Sequence, residues 1–283
     1  MIISANQTVG NFWFRVMPGT ACGRNAITTK NLPMGAIVHY DGAPDSNPTS
    51  TTSVVMRTTC VDEPTASLVP FVPNEVPQSV VGTAGNININ SFADPAQNNL
   101  FRWLIDGSTH IVNWNDPTLE TILSGSQDFG PNSNVKSMQQ KDGWYLWWIQ
   151  STSAVRLPHP IHLHGHDFYI VGSGTGTWDG STTGLTFKNP TRRDTATLPP
   201  GGYLLMAFPA DNPGMWIMHC HIAWHASQGL SMQFGERYSD LQAGSLISDM
   251  TTLKKGCDSW DSYWATGSSP SPDRPYNQTD SGI

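Results

Sequence analysis

Charge is what this sequence has least of. Asp, Glu, Lys and Arg make up 13% of its 283 residues and the formal net charge is −7, against a usual charged share of about 25%. A weakly charged, mildly acidic chain offers no basic surface, so neither nucleic acid nor an anionic membrane is expected as a partner. No apolar run reaches the ~18 residues that a membrane-spanning helix needs. Internal repeats and any long helical period are also missing. Cysteine is scarce, with four residues in all. The opening stretch "MIISANQTVG" has no charged segment followed by a long apolar core, so it does not read as a secretory signal. It reads as the middle of a strand running into a turn.

What is abundant is punctuation. The 26 glycines and 21 prolines separate short apolar runs such as "NFWFRV", "GAIVHY", "NININSF", "WYLWWIQ", "DFYIVGSG" and "GGYLLMAF". Short β-rich runs closely spaced between turn residues predict an all-β sandwich or barrel. Only two short helices are expected, one over Pro117–Leu123 and one over Ser239–Met250. The length allows one large domain or two ordinary ones.

Two sequons, at Asn6 and Asn277, fit a glycoprotein made for export, although such triplets also arise by chance. Export chemistry without an export signal suggests an internal piece of a longer precursor. Cys22 and Cys60 can close a loop, which would stabilise the region by about 3–4 kcal/mol on chain-entropy grounds. Cys220 sits among histidines and is better explained as a ligand, which leaves Cys257 with no partner in the chain.

The histidines are concentrated. "HPIHLHGHDF" begins at His159 and "HCHIAWH" ends at His225, and together they hold seven of the nine imidazoles. In a strand, side chains two apart share a face. His162 and His164 therefore project together and His159 elsewhere, while His219 and His221 share one face and Cys220 takes the other. Two sites on opposite sides of one strand follow. Cys220, His225 and His159 form the His2Cys set of a blue-copper centre. Leu230 has the spacing of the axial neighbour and cannot coordinate; Met232 and, less well, Met218 are the alternatives. His162, His164, His219 and His221 form an all-imidazole site that by itself does not name its metal. Because His219 and His221 are covalent neighbours of Cys220, the two sites are joined by a short through-bond route suited to moving electrons. A lone HxH would pass for a chance surface pair. A structural zinc site needs only four ligands and is usually richer in cysteine. His166 continues the HxH parity as a support to a ligand or a solvent-facing residue, and His39 and His110 have no assigned role.

"HPIHLHGHDFYIVG" and "DNPGMWIMHCHIAWHASQGLSMQF" closely resemble the two copper motifs in the last domain of fungal laccases, within the multicopper oxidases. "NPTRRDTATLPPGGYLLMAF" and the closing "DSGI" resemble the ascomycete branch. The resemblance covers essentially the whole chain. It implies a cupredoxin-like Greek-key sandwich and copper as cofactor. His159, Cys220 and His225 would hold the type 1 copper with Leu230 beside it, His162 the type 2 copper, and His164, His219 and His221 the type 3 pair. It further implies a secreted enzyme that oxidises phenols or aromatic amines at the type 1 copper, with His225 receiving the electron, and reduces O2 to water.

The departure from the family lies in what is missing. Its trinuclear site needs two further HxH pairs near the amino end, and no HxH precedes His162. On the resemblance, residues 1–62 correspond to the end of a middle domain with a Cys22–Cys60 disulfide. Residues 63–76 would be a linker and 77–283 the complete third domain, ending in a tail over 266–283 that related enzymes place in a solvent channel. Cys257 would pair with a first-domain cysteine. The expected partners are therefore the amino-terminal domains, the aromatic substrate and O2. The rival reading is an electron-transfer module that uses the type 1 site alone; a second rival within the family oxidises metal ions.

Overall fold

A computed structural model describes residues 4–16, 34–50, 61–244 and 246–266. Cys22, Cys60, Asn277 and the closing tail lie outside the described residues. The chain divides into two compact units, Met1–Val61 and Asp62–Ile283.

In the first unit, β1 (Asn11–Val16) pairs antiparallel with β2 (Met34–His39), Asn11 opposite His39. Asn11 Nδ2 donates to the carbonyls of Pro44 and Ser46 at 2.8 and 2.7 Å, which fastens the segment after β2 to the start of β1. Asn6 is exposed, as a glycan acceptor must be.

The second unit is a two-sheet sandwich. Six strands form one sheet in the order β4 (Leu100–Ile105), β3 (Gly85–Asp94), β6 (Trp144–Ser151), β11 (Gly202–Pro209), β8 (Phe168–Thr175), β9 (Thr191–Arg193). Five form the other, in the order β10 (Thr195–Leu198), β7 (His159–Leu163), β12 (Gly214–Cys220), β13 (Ser231–Glu236), β5 (Val135–Met138). The all-β sandwich expected from the spacing of the apolar runs is the one found, and with it the cupredoxin-like class that the resemblance implies. Alternation explains how the layers close. In β7 the residues His159, Ile161 and Leu163 are buried, while Pro160 and His162 are not. Inward residues of both sheets, among them Ile87, Ile149, Phe168, Met206, Phe208, Met218 and Phe234, make one continuous core. Burial of such a side chain contributes about 1.5–3 kcal/mol.

The other face of the six-stranded sheet is also covered. Val76 and Val80 pack with Trp178, Phe187, Tyr169 and Leu205 into a second cluster. Residues 63–76, expected as a linker, lie along this unit and are tied to it. Asp62 accepts from Thr197 N at 2.7 Å and Thr197 Oγ1 at 2.8 Å, and Thr191 Oγ1 reaches the carbonyls of Thr65 and Leu68 at 3.1 Å each.

The helix expected over Pro117–Leu123 appears as α1 (Thr118–Leu123). The one expected over Ser239–Met250 does not. Chain turns there after α3 (Tyr238–Gln242), at Gly244 with φ +73°, and a longer helix, α4 (Met250–Ala265), begins at Asp249, whose carboxylate accepts from Thr252 N at 2.8 Å. A glycine in the left-handed region followed by an N-capping aspartate splits what periodicity alone reads as one element.

Candidate metal centre

β7 and β12 run antiparallel as neighbours, with His162 opposite His219 and Ile161 opposite Cys220. This register brings the two histidine motifs together, one cluster on each face of the pair.

On the inner face His159, Cys220 and His225 offer ligand atoms that all lie within 4.8 Å of one another. Cys220 Sγ is 3.7 Å from His159 Nδ1 and 3.6 Å from His225 Nδ1. All three side chains are buried, two of them completely. The Cys-x4-His spacing is set by one turn of helix, α2 (Ala223–Ser227), which lifts His225 back over the strand end. Gly229, at φ +93°, then returns the chain, so that Leu230 N donates to the His225 carbonyl and Cys220 N to the Leu230 carbonyl, each at 3.0 Å. The Leu230 side chain is buried in the core that holds Cys220, as are Met218 and Met232.

The electrostatics of this triad follow from its burial. Burial pushes the Cys220 thiol up to about 12, only partly offset by the Ile222 amide. Burial pushes His225 down to about 4, and burial with the neighbouring His225 pushes His159 down to about 3. Shifts in these directions favour the neutral form of all three groups at pH 7, and a cation held between them would favour the thiolate. A soft thiolate with two imidazoles suits copper. Sequence reading gave no sign of Trp103 (β4), which wedges against both imidazoles at ring-centroid distances of 4.6 and 4.9 Å. Its backbone N–H donates to the Gln228 carbonyl at 2.9 Å, tying β4 to the ligand loop.

On the outer face His162, His164 and His219 also offer ligand atoms within 4.8 Å of one another. His221 flanks them, its ring centroid 5.5 Å from His162 and 5.7 Å from His219. Tautomers are dictated locally. His162 Nδ1 faces the Asp194 carbonyl at 2.8 Å and His219 Nδ1 the Cys220 carbonyl at 3.0 Å. Each must donate there, which leaves both Nε2 lone pairs free for a ligand. His164 Nε2 and His219 Nε2 approach to 3.3 Å. Burial and the neighbouring imidazoles hold His164 and His219 below the ordinary histidine value. Unlike the inner triad this cluster is open, with His164 and His221 exposed.

His166 is not a solvent residue. Its side chain is 3% exposed and its Nε2 lies 2.8 Å from Glu236 Oε2, the carboxylate itself being fully buried. His110 is buried at 1% exposure beside a cavity of about 420 Å³ that is also lined by Asn113, Asp116, Phe129, Ile217 and Gln233. Neither of its ring nitrogens reaches hydrogen-bond geometry. Burial lowers it to about 4, although the nearby Ser133 and Asn132 carbonyls oppose part of the shift. Exposed His39 lies in the first unit. Cys257 is half-buried on α4 and has no disulfide partner among the described residues.

Two buried imidazoles and a thiol on one face of a strand pair, with four imidazoles on the other, describe a multicopper protein, and comparison agrees. Residues 106–240 match the multicopper oxidase family, and the chain belongs to it. Within the family it matches the carboxy-terminal portion of fungal laccases. It is 40% identical to Laccase-1 of Botryotinia fuckeliana over 286 residues, covering 100% of this chain and 47% of that one. It is 37% identical to the laccase of Neurospora crassa, covering 100% and 45%. The crystal structure of the laccase from Botrytis aclada superposes with a TM-score of 0.72 at 36% identity, over 99% of this chain and 48% of that one. The chain thus spans about half the length of the curated relatives it matches.

Proposed function

We propose that this chain is the carboxy-terminal part of a laccase-type multicopper oxidase, which couples one-electron oxidation of phenols or aromatic amines to the four-electron reduction of O2 to water. The observation that carries this reading is the pair of clusters sharing one backbone. Cys220 Sγ converges with two imidazoles on the inner face, while its own peptide joins His219 and His221 on the outer. Copper, when bound, supplies reversible one-electron chemistry whose potential the surrounding residues set.

The chain's residues then take separable parts. His159, Cys220 and His225 hold the type 1 copper. Leu230, buried in the core beside Cys220, would offer such a copper no further donor atom, which would favour a raised potential. Trp224, 65% exposed and next to His225 in sequence, marks where an aromatic substrate meets the site. His162 serves the type 2 copper, and His164, His219 and His221 serve the type 3 pair. Two HxH pairs from amino-terminal domains complete that site, so O2 reduction needs those domains as partners. Residues 1–62 belong to the middle domain with a Cys22–Cys60 disulfide, 63–76 connect, and 77–283 form the third domain, with 266–283 as its tail. Secretion, with glycans at Asn6 and Asn277, fits the same reading.

The alternative, an electron-transfer module, draws on the completeness of the inner triad within this chain. One experiment separates them. The copper-loaded chain, alone and mixed with the amino-terminal half of a fungal laccase, is assayed for O2 uptake with a phenol. Uptake only in the mixture is expected. No uptake in a mixture that forms a stable complex favours the module, and uptake by the chain alone contradicts the division of ligands.

A further inference from the structure

The turn that follows His164 is fastened more elaborately than a surface turn requires. Gly165 sits at φ +74°, and a Cβ there would lie 2.3 Å from the Trp216 ring. Its carbonyl accepts from Asn212 Nδ2 at 2.8 Å, and the Asn212 carbonyl accepts from Trp216 Nε1 at 2.6 Å. Asn212 N donates to Glu236 Oε1 at 2.6 Å, and the other oxygen of that carboxylate lies 2.8 Å from His166 Nε2. The His166 ring packs on Phe208 at 4.9 Å, and its Nδ1 lies 3.6 Å from Asp211 on the rim. The contacts form a closed circuit, from Gly165 to Asn212 to Glu236 to His166 and back through the chain. Its next residue is His164, whose own N–H is pinned to the Ile217 carbonyl at 2.9 Å.

A carboxylate with no exposed surface is an expensive way to fill space. Well-packed apolar residues are often as stabilising as a buried polar pair. What the pair adds is a close polar contact, 2.8 Å from Nε2 to Oε2 though short of hydrogen-bond geometry, that fixes the turn against the end of β13. Strand register and the Asp194 carbonyl place His162, but His164 lies past the end of β7, where strand pairing fixes a side chain less firmly.

We infer that Glu236 and His166 are positioning residues for the outer metal cluster. Their contact holds the 165–166 turn so that His164 Nε2 meets His219 Nε2 at ligand spacing before any metal arrives. This rests on the reading that His162, His164 and His219 bind metal. Supporting partners of ligands change metal affinity by roughly 10–100-fold when removed.

The test uses the full 283-residue chain with Cu(II) titrated as the probe. The thiolate copper at Cys220 has a narrow hyperfine splitting in its paramagnetic spectrum and an imidazole-only copper a wide one, so the two are followed separately. His166→Ala should weaken the wide-splitting copper about 10–100-fold and leave the blue copper unchanged. His166→Gln, which returns an N–H near the Nε2 position, should restore most of the loss. Should the alanine variant not fold, His166→Phe keeps the packing on Phe208 and removes the nitrogen, with the same expectation. Equal affinity in all variants overturns the inference while leaving the outer site standing. Parallel loss of blue and wide signals overturns it too, since the pair would then support the whole domain. A wild-type chain that binds no wide-splitting copper at all removes the underlying reading.

Discussion

The two faces of the β7–β12 pair carry nearly the same side chains and solve opposite problems. The inner triad is sealed, with His159 and Cys220 fully buried and His225 at 6% exposure, and Trp103 packed on both imidazoles. The outer cluster has two of its four imidazoles in solvent and is fixed by hydrogen bonds to Asp194 and Cys220 carbonyls. A sealed site draws its geometry from core packing, and here its three ligand atoms come from this chain's own residues. The open one depends on the elements around it and, on the reading proposed above, on ligands from elsewhere. The difference is one of strand parity, a single residue's shift from Cys220 to His219 or His221.

The largest effect should come from removing the thiol. Cys220→Ser should abolish the blue absorption entirely and leave copper on the outer imidazoles detectable by its paramagnetic spectrum. Persistence of the blue band would remove Cys220 from the site.

Next in size is the wedge. Trp103→Ala deletes a fully buried ring and should cost about 3–5 kcal/mol, measured by urea unfolding, and weaken the blue band because both imidazoles lose their support. A loss below about 1 kcal/mol with an unchanged band would mean that the ligand loop holds itself.

His110 is a buried imidazole outside both clusters, and so a control on burial without a metal role. Its folded-state value of about 4 lies below the unfolded 6.5. The unfolded chain therefore takes the proton first, and the residue's contribution is full above about pH 6.5 and lost on acidification toward 4. Between pH 7 and pH 5 the loss should be on the order of 2 kcal/mol. His110→Leu should remove that slope in metal-free protein; an unaltered slope would assign the acid sensitivity to other groups.

The smallest effect is electronic. Leu230→Met offers a coordinating sulfur to the copper and should lower its reduction potential while leaving stability nearly unchanged. A potential that rises or stays put would show that residue 230 is not axial or that the new sulfur turns away.

Strand parity in "HPIHLHGHDF" and "HCHIAWH" was enough to separate the two clusters, because alternation is a local rule that the sheet obeys. The apolar runs named from the sequence all appear as strands for the same reason. What parity cannot show is which distant residues touch. Trp103 meets His159 across the sandwich, and Glu236 meets His166 from the far end of β13. Neither contact leaves a spacing signal. α4 was misplaced because the left-handed Gly244 and the Asp249 cap act on a single residue each, below the resolution of a periodic pattern.

Stepwise copper titration of the metal-free chain, followed by absorption and paramagnetic resonance, tests the central contrast most directly. The first equivalent should turn the protein blue and protect the Cys220 thiol from a thiol reagent, and only later, weaker binding should add a non-blue copper. A first equivalent that binds without colour and leaves Cys220 reactive would contradict the account.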